Sequence, residues 1–257
     1  MCCFTGSVRN VSSTKIFARE IGAETPARQY VVYQMNLDAP RDLAMVLPIP
    51  TAEIKGEARD KAVEFIDLQG YERFFRDLDR GFPDLYPPPT RSVTLSEPRT
   101  AAAKLEVHQV GSFEASYVPR PADFARLDER FRISPELWEK IPAYKNFGFA
   151  VFKLKEGKQT VHPMAFAFER ADPNHLFFPT VHIHDGKVHQ TANFDHKLYC
   201  QAAGRSVDIL QWEESRGHAQ QFANVKKSKG LLLPEQHVYR KKLNGRLKNA
   251  DTQLAIG

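Results

Sequence analysis

The densest group of potential ligands in this chain is Val181-His182-Ile183-His184-Asp185-Gly186-Lys187-Val188-His189. Neutral imidazole is the commonest protein ligand for zinc, copper and iron, and three imidazoles leave coordination positions open for chemistry. An Asp-Gly pair between two alternating runs signals a two-residue hairpin, with Asp185 and Gly186 as the turn. Counting outward sets His184 opposite Lys187, Ile183 opposite Val188 and His182 opposite His189. The two-residue period then puts Val181, Ile183 and Val188 on a core face and the three histidines on the other. Directly paired residues such as His182 and His189 carry Cβ atoms roughly 4.5 to 5.5 Å apart. His196, in Asn193-Phe194-Asp195-His196, is near enough in sequence to join them, with Asp185 or Asp195 orienting a ring. The expected metal ligands are therefore His182, His184, His189 and His196, binding zinc, copper or iron. A thiolate from Cys2, Cys3 or Cys200 would shift the choice to zinc or copper. The same alternation also describes a solvated hairpin face, which Lys187 suits.

Two rival readings stand beside the metalloenzyme. Removal of Met1 ahead of a small residue would leave Cys2 with its own α-amine, of pKa about 8, as general base. Cys2 followed by the Ile16-Phe17-Ala18-Arg19 strand loosely resembles the start of cysteine-type amidohydrolases such as bile-salt hydrolases. That resemblance implies that Cys2 is a nucleophile positioned by Arg19. The other reading is a non-catalytic binding or interaction protein. His108, His162, His175 and His218 are scattered, and the sequence carries neither a Gly-rich phosphate loop nor a Ser-His-Asp motif. A convergent pocket would mark an enzyme, and a histidine face on an open sheet would mark an interaction module.

The elements that must position these residues read as α+β, mainly antiparallel sheets with a few short helices. Lys15 to Arg19 and Gln29 to Met35 are β-branched or aromatic runs that look like an antiparallel pair. Ala44-Met45-Val46-Leu47 is a buried strand ended by Pro48 and Pro50. Apolar spacing predicts a short helix over Arg73 to Leu78, stopped by Gly81 and Pro83. Residues 82–100, with five prolines, read as a linker. Beyond it come one bent strand or two short ones over 107–118, with Gly111 as the bend, helices over Ala122 to Glu129 and from Ser134-Pro135, and strands over Phe147 to Leu154 and Val161 to Phe168. Residues 207–222 read as a further helix. The expected organisation is one globular α+β domain over 1–222, divisible into two subdomains at the Pro-rich segment, followed by a basic C-terminal segment, 223–257.

In chain order, the Cys-rich start, Lys15-Ile16-Phe17-Ala18, Ala44-Met45-Val46-Leu47-Pro48-Ile49-Pro50, Val110-Gly111-Ser112-Phe113-Glu114-Ala115, the Leu127 helix, and Gly148-Phe149-Ala150-Val151-Phe152-Lys153-Leu154 before His162-Pro163-Met164 form a series. That series resembles an uncharacterised bacterial domain-of-unknown-function family over residues 2–170. Members of that family begin Cys-Gly-Gly-Phe-Phe-Cys, where this chain has adjacent cysteines. The resemblance implies a fold and a domain extent, and no activity.

Composition narrows the classes further. The 257 residues are 42% hydrophobic and 26% charged, as in soluble globular proteins. No apolar run is long enough to span a membrane and no signal peptide is visible, which predicts a cytoplasmic protein. Three cysteines do not form a disulfide framework. Residues 226–257 hold eight lysines and arginines against Glu235 and Asp251, so the chain's net +5 belongs to this segment and the body is near neutral. It reads as a solvated tail, and without aromatic interleaving it makes nucleic acid an unlikely partner. A small-molecule substrate stays open.

Overall fold

The computed structural model describes residues 2–22, 26–53, 62–83, 108–110, 113–127, 132, 142–183, 188–201 and 211–256. In chain order the elements are β1 (Cys2–Phe4), β2 (Asn10–Ile21), β3 (Arg28–Ala39), β4 (Leu43–Ile49), β5 (Val63–Ile66), α1 (Phe74–Arg80), β6 (His108–Val110), β7 (Phe113–Val118), β8 (Gly148–Leu154), β9 (Gly157–Thr160), β10 (Met164–Glu169), β11 (His175–Phe178), β12 (His182–Ile183), β13 (Thr191–Gln201), β14 (Glu213–Glu214), β15 (Tyr239–Lys248) and β16 (Thr252–Ala255). One sheet has the order β12-β1-β4-β8-β7-β6, and a larger one runs β14-β15-β13-β2-β3-β10-β5, with β9 also on β3.

The two sheets pack face to face over the main core, where Ile16, Val31, Tyr33 and Leu198 of the larger sheet meet Met45, Leu47 and Phe152 of the smaller. Each sheet is apolar on its outer face as well. Val46, Phe149, Val151 and Ile183 lie under the 3-10 turns that contain Phe124 and Tyr144. On the larger sheet, Phe17, Val32 and Tyr199 lie under α1 and the 219–232 loop. This explains why β4 reads as a continuous apolar run, since a strand covered on both faces has no polar side.

The fold is β-rich rather than α+β: 51% of the described residues are in strands and 10% in helices. Only α1, at the expected place, is an α-helix among them. The stretch 207–222 is not a helix where it is described. Glu213 and Glu214 pair with Arg240 and Tyr239, and a single 3-10 turn covers Ala219–Gln221. Pro121–Arg126 forms 3-10 rather than α structure. The helical spacing there came from short segments that lie flat on a sheet, where one buried side per turn gives the same pattern. The helix expected from Ser134 and most of the Pro-rich segment fall outside the described residues, as do positions 207–210. No helix among the described residues is long and apolar enough to cross a membrane.

The basic C-terminal segment is built into the larger sheet. β15 pairs antiparallel with β13 from Thr191↔Lys248 to Cys200↔Tyr239.

Candidate functional site

The expected three-histidine face is not formed among the described residues. β12 pairs in parallel with β1, Cys2↔His182 and Cys3↔Ile183, and residues 188 and 189 are not in a strand. His189 is exposed, and Val188, assigned to the core, is 41% exposed. Residues 182 and 189 are joined instead through Asn249, whose Nδ2 donates to both carbonyl oxygens at 2.9 and 3.0 Å. His184, Lys187 and the Asp185-Gly186 turn lie outside the described residues.

The structure does bring His182 and His196 together. Their Nε2 atoms are 2.8 Å apart, His196 is 1% exposed, and Phe194 packs on both rings. Two nitrogens on one tetrahedral zinc would stand about 3.3 Å apart, given Zn–N bonds of about 2.0 Å. At 2.8 Å the two rings are within hydrogen-bond distance of each other, one nitrogen donating and the other accepting. Among the described residues no group of three or more His, Cys, Asp or Glu side chains is placed to hold a metal. Where a histidine cluster was expected, the described residues hold a hydrogen-bonded His182–His196 imidazole pair that ties the two sheets.

Cys2 lies in β1 of the smaller sheet. Arg19 belongs to the larger sheet and spends its donors on the carbonyls of Leu231, Glu20 and Gly230, while its guanidinium stacks over the Tyr30 ring. It shares the outer face of β2 with Phe17, away from the smaller sheet. Cys3 and Cys200 are buried, and burial pushes the Cys200 thiol up.

A different polar constellation occupies the outer face of the larger sheet. Asp79, in the last turn of α1, lies 3.0 Å from Lys15 Nζ, 2.9 Å from Lys197 Nζ and 3.6 Å from the Arg240 guanidinium, and accepts the Tyr199 hydroxyl at 2.6 Å. Burial pushes its carboxyl up, but Lys15, the Tyr199 hydroxyl and Lys197 outweigh this and hold it down at about 2. Burial and the Asp79 charge together push Tyr199 up, so its hydroxyl is a fixed donor. Arg240 is buried, gives Nε and Nη2 to one Glu213 oxygen at 3.1 and 2.7 Å, and lies over the Phe82 ring.

The sheet register sets this geometry. A bulge between Ser12 and Lys15, with Ser13 at φ 54°, inserts one residue into β2 and so changes which face the following side chains take. Ser13 N–H donates to the Asp195 carboxylate. Lys15 then registers beside Lys197, and Lys197 beside Lys242, giving three lysines abreast on adjacent strands. Lys242, Arg246 and Lys248 follow one another along the same face of β15. α1 covers the Tyr199 end of this face, while Lys242, Asn244, Arg246 and Lys248 are exposed.

The sequence contained these residues but not their meeting. The Arg240-Lys241-Lys242 run was visible as charge, whereas Lys15, Asp79, Lys197 and Tyr199 looked like isolated positions in strands or a short helix.

No family model matches the chain, and no curated protein matches it. Among solved structures, 96% of it aligns with 98% of a mutated baculovirus P35 after caspase cleavage, at 14% identity and a TM-score of 0.49. It also aligns over 95% of its length with 96% of the P35 chain in a complex with caspase-8, at 11% identity and a TM-score of 0.46.

Proposed function

We propose that this chain is a non-catalytic binding protein whose basic sheet face docks an acidic segment of a partner protein. The row Lys15–Lys197–Lys242 carries the reading. Like charges directly opposite one another destabilise a sheet, and this chain places three side by side. Asp79 offsets the first two, and no carboxylate among the described residues pairs with Lys242 or Lys248. Strand spacing and rise make the patch about 10 Å across three strands and about 20 Å along β15. Its described open positions carry no aromatic ring, the platform on which single-stranded nucleic acids stack. Cationic apart from Asp195, and ring-free at its open positions, the face suits carboxylates on another protein, whose attraction speeds encounter and fixes register.

Fluorescence anisotropy with a labelled polyglutamate peptide tests this. The protein should bind it, less tightly as salt rises, and K242E/R246E/K248E should abolish binding. Absent binding by the unmodified protein, unchanged binding by the variant, or tighter binding to duplex DNA of equal charge would overturn the proposal.

A further inference from the structure

A groove of about 810 Å³ lies between the turn leading into α1 and the loop 220–227. That volume suits a small ligand. Its walls are held from both sides, because Asn224 N–H donates to the Tyr71 hydroxyl at 2.8 Å and Lys227 Nζ to the Gly70 carbonyl at 2.9 Å. Arg73, Arg80, Lys226 and Lys227 line it, against the carboxylates of Glu72 and Asp77.

The four cations of this groove outnumber its two carboxylates. Asp77 is buried and reaches Arg73 and Arg80 through one oxygen, at 3.4 and 3.7 Å. It therefore steers the two guanidiniums, which remain 62% and 60% exposed with most of their five donors unspent. Glu72 is turned back on its own turn, accepting the Gly70 N–H at 3.0 Å. Steered guanidiniums facing lysines across a polar groove match the several acceptor oxygens of a phosphate.

We propose that this groove is a binding site for a phosphate-bearing ligand, held by Arg73 and Arg80 on one wall and Lys226 and Lys227 on the other. The site is distinct from the docking face. Asp77 and Asp79 are two residues apart in α1, about 200° around its axis, so the groove and the lysine row lie on opposite flanks of the helix.

Calorimetric titration of the purified protein with inorganic pyrophosphate, and separately with a phosphoserine peptide, tests the site. Binding of pyrophosphate alone identifies a free phosphate compound as the ligand, and binding of the peptide identifies a phosphorylated protein. Either supports the proposal. K226A, which leaves the Lys227 tie to Gly70 in place, should weaken binding several-fold, the scale of one charge-assisted contact at a rim. K242E/R246E/K248E should bind as the unmodified protein does, which separates this site from the docking face. Binding of neither probe, full affinity in K226A, or an equal loss in the β15 variant would overturn it.

Discussion

His182 and His196 face each other across the sandwich with Nε2 atoms 2.8 Å apart, one ring donating and the other accepting. The first sits on an edge strand of the smaller sheet and the second inside the larger, so the pair fastens one end of the two layers. In a double-mutant cycle of H182A and H196A, we expect a coupling energy of about 1 kcal/mol, the net worth of such a bond. H196A alone should cost about 2 to 3 kcal/mol, because it also empties a buried site. Urea unfolding measures both, and strictly additive costs would show that the rings do not interact.

Asp79 makes stability depend on pH in a definite direction. Its carboxyl is held at about 2 against an ordinary 3.8, so the folded protein binds this proton more weakly than the unfolded chain does. The stabilisation, about 2 kcal/mol, is complete above a pH of about 4 and is lost as pH falls toward 2. D79N should cost about that much at neutral pH and flatten the acid limb of the stability curve. A variant with the same acid limb as the parent would remove Asp79 as its source.

Gly81 closes α1 against Phe222. A Cβ at this position would stand 2.7 Å from Phe222 Cζ, and that ring is packed in the outer core. G81A should therefore cost about 1 to 3 kcal/mol. F222L in the same background should recover part of the loss, because it removes the ring edge that the methyl meets. Equal stability of G81A and the parent in urea would contradict the contact.

What could be read in advance follows the range of the forces involved. β2, β3, β4 and α1 were legible because their patterns repeat within a few residues, and the strand period and the helix stop at Gly81 are local. The His182 strand was legible as a strand, but its partner was not, since Cys2 and Cys3 lie at the other end of the chain. Residues 207–222 misled because a short run bedded on a sheet can imitate helical spacing. The Asp79 constellation was hidden for the same reason of distance. Its carboxylate reaches partners 64, 118 and 120 residues away in sequence, and no local pattern announces such a meeting.

Both N-terminal strands depend on late-made partners. β1 pairs in parallel with β12 and β2 with β13, each across about 180 residues. Closing such long loops is slow, and parallel pairing gives no early local reward. A nascent chain leaving the ribosome would expose the free edges of β1 and β2 until His182 to Gln201 had emerged. During synthesis the chain therefore offers sticky strand edges to chaperones and to other copies of itself until those partners have been made.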